Sequence, residues 1–144
     1  MKLLLTFAVK SDKEIRASDW KSTDLILFGT AETNELIARF ADKLPLRLNA
    51  GAADYGLVFV APNEGHYLVV NSGLPWWTSA ETAKRGQLSF LPPAAILNTF
   101  QDYILFKGDL SNVVAEGRFD RKWNVPSAAA HNIAASGAAQ VRTR

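Results

Sequence analysis

The sequence predicts a three-layer α/β domain of the Rossmann or flavodoxin type, with a mixed, mostly parallel sheet and one antiparallel hairpin. Three observations predict this fold. The run 25–28 is continuously apolar, as in a strand that is covered on both faces. Apolar residues at helical spacing follow it, and two strand-like runs later flank a short turn. The expected parallel core contains strands near 3–9, 25–28 and 103–106, joined by right-handed crossovers.

Length and composition predict one domain. The chain has 144 residues, 48% hydrophobic and 21% charged, which are ordinary values for a single globular core. We expect this α/β domain to cover residues 1–124. The alanine-rich remainder, residues 125–144, has few large apolar side chains and is expected to be a flexible tail.

The first apolar run, Leu3 to Val9, is interpreted as a strand. It is too short for a bilayer span, and no Ala-x-Ala cleavage pattern follows it, so no signal peptide is evident. The sequence has no cysteine, which excludes disulfides and thiolate nucleophiles. Cytoplasm and periplasm both remain compatible with these features.

The middle of the chain predicts a helix and a hairpin. Apolar residues between 36 and 44 recur at helical spacing, and Pro45 ends the helix. The runs 55–61 and 67–71 are rich in β-branched and aromatic residues and flank a Pro-Asn-Glu-Gly turn. Short helices are expected near 78–84 and 94–100. One shared core should contain Phe28, Ile37, Phe40, Phe59 and Ile104.

The charge pattern gives no sign of a nucleic-acid partner. Sixteen basic and fourteen acidic residues leave a net charge of +2. The basic residues are dispersed, and no basic stripe is interleaved with aromatic residues, as nucleic-acid binding would require.

Catalytic and metal-binding patterns are weak. There is no Gly-x-Ser-x-Gly nucleophile elbow, and the best triad that could be assembled uses Ser72, His66 and Asp54. No His or Cys pair has metal-ligand spacing, and the acidic residues between 12 and 24 lack the calcium-loop pattern. We therefore expect no catalytic residue, no metal and no cofactor, with a small serine hydrolase as the alternative.

Two segments are candidate binding sites. The strand-to-helix junction at Gly29, Thr30, Thr33 and Asn34 could bind an anion through free N–H groups. Glu32 would repel such a ligand, and helix capping by Thr30 or Thr33 is the alternative interpretation.

The second candidate segment is Trp76-Trp77. Paired tryptophans can contact a partner protein or a ring-shaped substrate, and they can equally close the edge of a core. We expect one indole to pack internally and the other to be available for a partner.

A family resemblance extends over most of residues 9–123. The sequence resembles the accessory α/β domain that follows the catalytic domain in some bacterial prolyl-oligopeptidase-like α/β-hydrolases. The residues that carry the resemblance are Val9–Asp12, Asp24–Gly29, Asn34, Ile37–Arg39, Lys43–Pro45, Pro62–Asn63, Tyr67–Gly73, Asp102–Phe106 and Gly117–Trp123. The hairpin turn is shorter here than the Pro-Asn-Pro-Leu-Asn-Pro turn of that family.

The resemblance implies a non-catalytic accessory or interaction domain. Its partner would be a hydrolase catalytic domain or a sister subunit, and a homo-oligomer is an open alternative. A periplasmic or secreted location would follow from the same resemblance. Peptidase activity does not carry over, because the nucleophile elbow is missing.

Overall fold

The structure is a computed structural model that describes residues 8–77 and 100–142. Helices and strands follow one another in no regular order along these ranges. The elements in these ranges are α1 (Ala17–Ser22), β1 (Leu25–Phe28), α2 (Glu35–Phe40), β2 (Leu46–Leu48), β3 (Tyr55–Asn63), β4 (His66–Gly73), β5 (Tyr103–Lys107), β6 (Val113–Gly117), α3 (Ser127–Ser136) and β7 (Ala139–Val141).

The strands form a five-stranded mixed sheet and a small two-stranded sheet. The large sheet has the order β1-β4-β3-β5-β6, and β2 pairs antiparallel with β7 in the small one. Only β1 and β4 pair in parallel, whereas the β4–β3, β3–β5 and β5–β6 pairs are antiparallel. The expectation of a mostly parallel sheet is therefore wrong for the described residues. A tight hairpin occupies the centre, and β5 adds antiparallel beside it.

The predicted hairpin is confirmed. Strands β3 and β4 pair along their whole length, from Gly56 opposite Gly73 to Asn63 opposite His66. Glu64 and Gly65 form the loop, with φ of 48° and 88°. Positive φ at both loop positions gives the twist of a type I′ turn, which matches the twist of the flanking strands.

One face of the large sheet packs against the helices. Its buried core joins Leu27 of β1 and Phe59 of β3 to Ile37 and Phe40 of α2. The predicted helix is confirmed but shorter than expected, since regular α-helix ends at Phe40. The expected shared core was wrong for Phe28, which is exposed because alternate strand residues point to opposite faces. Ile104 is buried on that opposite face.

The C-terminal segment is ordered and packed, so the expectation of a flexible tail is wrong for residues 127–141. Ile133 of α3 is fully buried, and β7 hydrogen-bonds to β2 with Leu48 opposite Ala139. Gly137 ends α3 in the left-handed conformation at φ 67°, which turns the chain into β7. Ile133 and the pairing of β7 with β2 dock this alanine-rich helix, and Ala129 and Ala130 pack against the same core.

Three expectations fall almost wholly outside the described residues. They are the strand at 3–9 and the helices at 78–84 and 94–100. Within the described ranges, no helix has the length and apolar character needed to cross a membrane.

Candidate functional site: an exposed apolar face beside β1

The face of the large sheet that points away from α2 carries apolar residues on β1, β3, β4 and β5, with Asn71 and Glu116 as polar members. At β5 and β3 this outer face is covered, with Ile104 only 4% and Val58 only 9% exposed. At β1 it is open, with Ile26 54% and Phe28 56% exposed. Isolated exposed apolar residues are ordinary on protein surfaces, but a contiguous group indicates an interaction site.

The exposed residues are contiguous because they line up across strands. Ile26 lies opposite Val69 of β4, and Val69 lies opposite Val60 of β3. Both valines are half-buried. We call Ile26, Phe28, Val60 and Val69 together the outer patch.

An aromatic cluster borders the outer patch at the carboxyl end of β1. The Phe28 and Trp77 rings meet edge to face with centroids 5.8 Å apart, and Trp77 is 41% exposed. Trp76 stacks edge to face on Trp77 at 5.8 Å and on Phe100 at 5.5 Å. Trp76 is thus held between rings, whereas Trp77 presents more of its indole to solvent.

The cluster surrounds a shallow cleft of about 250 Å³. Its lining includes Phe28, Val58, Asn71, Leu74, Trp76 and Trp77. None of the described residues that line the cleft is charged, and Asn71 is the polar side chain among them. Such a cleft can bury an apolar side chain of a partner without desolvating a charge.

The candidate triad is not brought together. Ser72 and His66 lie at opposite ends of β4, roughly 20 Å apart at the usual rise of a strand. Asp54 precedes β3 at the end that Ser72 occupies, so it too is far from His66. The buried Ser72 hydroxyl donates a hydrogen bond of 2.7 Å to the carbonyl of Gly29, which ties the ends of β4 and β1 together.

His66 has a different acidic neighbour from the one considered in the triad. Its Nδ1 lies 3.5 Å from Oδ1 of Asp24, an exposed carboxylate at the amino end of β1. The same oxygen accepts a 2.9 Å hydrogen bond from the backbone N–H of Tyr67. These contacts fasten β1 to the hairpin end and place no nucleophile beside the imidazole. The other histidine, His131, is exposed on α3.

The junction between β1 and α2 satisfies its own hydrogen bonds. The Asn34 side chain caps α2 by accepting from the N–H groups of Leu36 and Ile37, and its amide donates to the Phe28 carbonyl. The cap is therefore Asn34, not Thr30 or Thr33 as the sequence suggested. Those two threonines bond within the loop, where the Thr30 N–H donates to Oγ1 of Thr33 at 2.9 Å.

This junction has little space for an anion, and the carboxylates beside it would repel one. Asp12 places a carboxylate on the N–H of Glu35, where an anionic ligand would bind. Glu32, which pairs with Arg47 at 3.0 Å, adds a second negative charge. Hydrogen bonds from Thr30 and Arg47 lower the pKa of the Glu32 carboxyl. The cavity next to Thr30 measures about 10 Å³, at the lower limit for one water molecule.

The acidic residues near the start of the chain serve structural roles. Asp19 accepts from the N–H of Arg16 and pairs with Lys10, while Asp24 binds the hairpin as described. In the described part of the chain, no group of three His, Cys, Asp or Glu side chains could hold a metal ion.

No family model, curated protein or solved structure matches this chain.

Sequence reasoning missed Ile26 and Phe28 as surface residues. A four-residue apolar run predicts a strand covered on both faces, and that pattern does not depend on whether the strand is central or at an edge. Among the described residues β4 is the one strand that pairs with β1, and the outer side chains of β1 are exposed. Of the candidate sites predicted from the sequence, the Trp76-Trp77 pair is the one beside this surface.

Proposed function

We propose that this chain is a non-catalytic interaction domain that docks a partner protein on the outer patch and the adjoining aromatic cleft. The observation that carries the proposal is the edge-to-face pair of Phe28 and Trp77, both more than one third exposed beside a cleft without charge. Aromatic side chains that are exposed next to a cleft are frequent anchors of protein interfaces.

Burial of these two rings would contribute part of the binding free energy. Covering roughly 100 Å² of each ring would contribute about 2.5 kcal/mol per side chain at ~25 cal/mol per Å². Because Phe28 and Trp77 already restrain each other, their side chains lose less conformational entropy on binding than free side chains would.

The partner we propose is the catalytic domain of a prolyl-oligopeptidase-like hydrolase, and the support for it is the sequence resemblance. A periplasmic or secreted location and a three-layer arrangement of the complete domain belong to the same proposal. The local chemistry fits a docking role better than a reaction, since Ser72 and His66 serve separate structural bonds at opposite ends of β4.

Introducing a positive charge into the outer patch tests the proposal. Phe28→Lys places an ammonium group against the cleft and should abolish association with a purified α/β-hydrolase catalytic domain of the prolyl-oligopeptidase-like type, measured by calorimetry. Val113→Lys is the matched control, because Val113 is also an exposed strand residue but lies on β6 at the opposite edge. Sedimentation velocity of the same variants shows whether a second copy is the partner instead. Equal affinities for the two lysine variants and the parent chain would overturn the proposed surface.

A further inference from the structure

The C-terminal segment, residues 127–142, is held by contacts that are apolar or made by the backbone. Its buried residues are Ile133 of α3, Ala139 of β7 and Ala138 between them. None of the ion pairs between described residues involves this segment. Contacts of these kinds do not depend on which chain supplies the segment, since every copy carries the same surface.

The surface that receives the segment is formed by residues 45–49 and by β6, on which α3 lies. Asn49 holds the turn before β7. Its backbone N–H donates to the Ala138 carbonyl, and its side-chain amide donates to the Gly137 carbonyl, both at 2.8 Å. Both parts of this surface precede the connection 118–126 in the chain. The segment and its receiving surface therefore lie on opposite sides of one connection.

The connection is closed by a tight turn. The Asp120 carboxylate accepts hydrogen bonds from the N–H groups of Lys122 and Asn124 at 2.8 and 2.9 Å. Trp123, inside the turn, has a φ of 64°. A tryptophan in this left-handed region is strained, because its Cβ lies close to the following carbonyl oxygen. An extended connection would release this strain.

The neighbours of the turn oppose and favour its opening. The Trp123 ring is held by Tyr67 and Phe119, with centroids 6.1 and 5.8 Å away. Beyond the turn, Pro126 has φ −55° and ψ 144°, and its ring restricts the preceding Val125 to extended conformations as well. Opening of the turn would therefore let the chain run straight from β6 to α3.

We propose that two copies of this chain exchange residues 127–142. In the exchanged dimer, α3 of each chain lies on β6 of the other, and each β7 pairs with the other chain's β2. Every docking contact of the monomer is formed again, so the balance between monomer and dimer depends on the connection and on protein concentration. Relief of strain at Trp123 favours the dimer, and loss of the Asp120 hydrogen bonds opposes it.

Cysteine pairing between two chains tests the exchange, because the chain has no native cysteine. Arg47 of β2 and Gln140 of β7 lie directly opposite each other and are both exposed. Opposite residues of an antiparallel pair have Cα atoms about 5 Å apart, which is within disulfide range. Chains with Arg47→Cys and chains with Gln140→Cys are refolded together at high concentration, diluted and oxidised. We expect a disulfide-linked heterodimer that contains one chain of each kind.

Two controls and one connection variant accompany this mixture. The double variant Arg47→Cys/Gln140→Cys, refolded at low concentration, should close a disulfide within the monomer. Ile26→Cys mixed with Gln140→Cys measures random collision, since Ile26 lies on the outer face of the large sheet. Asp120→Ala in both chains removes hydrogen bonds that close the turn. It should raise the yield of heterodimer about fivefold, the effect of one net hydrogen bond on an equilibrium constant.

The exchange is overturned if the double variant closes within the monomer while the mixed chains give no more heterodimer than the collision control. A double variant that stays open would show that β7 is not paired with β2, which removes the exchanged element itself. An unchanged yield with Asp120→Ala would overturn the role of the turn. Leu46, Leu48 and Ile133 belong to the core on the side of α2, so none of these outcomes bears on docking at the outer patch.

Discussion

The carboxylate of Asp12 accepts a 2.8 Å hydrogen bond from the backbone N–H of Glu35, the first residue of α2. This bond joins two segments 23 residues apart. It combines with the Asn34 cap so that α2 begins with three satisfied N–H groups. The hydrogen bond from Glu35 holds the pKa of the Asp12 carboxyl below its usual value of 3.8.

This depressed pKa predicts a pH-dependent contribution to stability. A carboxyl whose pKa is lower in the folded chain stabilises the fold above its usual pKa, and the contribution disappears as the pH falls through the folded value. Asp12→Asn should therefore lower the melting temperature at pH 7, and the difference from the parent chain should shrink below about pH 3.8. Glu116→Gln, on the exposed side of β6, is the control. A constant difference from pH 7 to pH 2 would contradict the assignment.

Ser72→Ala should destabilise the fold, because the carbonyl of Gly29 then loses its donor where β1 and β4 end. Leaving a buried acceptor unsatisfied costs about 1–3 kcal/mol, which chemical denaturation can measure.

The parent chain should show no turnover of p-nitrophenyl acetate or short proline-containing peptides. Turnover that both Ser72→Ala and His66→Ala abolish would instead establish a hydrolase.

Features that depend on neighbouring residues were accessible from the sequence. The hairpin follows from the turn chemistry around Glu64 and Gly65 together with the alternation in its two strands. The helix after Gly29 follows from the spacing of Leu36, Ile37 and Phe40. The residues that specify each of these elements are near one another in sequence, so spacing and turn chemistry predict it.

Features that depend on distant pairing were not accessible. The residues near Ile104 in the sequence do not indicate that it pairs antiparallel with Val58. From the apolar run at 103–106 we therefore predicted a parallel strand. The direction of β5 is set by its pairing with β3, a segment far away in sequence. The exposure of Phe28 has the same origin, since it depends on which strands lie beside β1, and in the described part of the chain that strand is β4.

The core assignment predicts a sharp contrast between phenylalanines. Phe40→Ala and Phe59→Ala each remove a buried ring and should cost about 3–5 kcal/mol in unfolding free energy. Phe28→Ala, on the outer patch, should cost well under half of that. Denaturant titration of the three variants checks the order, and similar losses for Phe28→Ala and Phe59→Ala would show that the two faces are misassigned.

The packed C-terminal helix is tested by its single large buried residue. Ile133→Ala should cost about 2–5 kcal/mol, as expected for truncating a fully buried isoleucine. His131→Ala on the exposed side of α3 should be nearly neutral. If both variants retain the stability of the parent chain, α3 is not docked in solution, and the pairing of β2 with β7 would have to be re-examined.

The two tryptophans should differ in what their removal changes. Trp76 lies between Trp77 and Phe100, so Trp76→Ala opens a gap in the cluster and should lower the melting temperature. Trp77 contacts Phe28 with much of its indole exposed, so Trp77→Ala should leave the melting temperature close to that of the parent chain.

The effect of the two substitutions on association should be the reverse of their effect on melting temperature. If the proposed docking surface is correct, Trp77→Ala removes one of its anchors and should weaken binding to the proposed hydrolase partner, or self-association, at least tenfold, as is usual for a central interface aromatic. Trp77→Phe, which keeps an aromatic ring, should retain most of the binding. Calorimetry and sedimentation velocity on the folded variants measure this difference. If Trp77→Ala binds as well as the parent chain, or if both alanine variants unfold, the cluster serves only to close the edge of the fold.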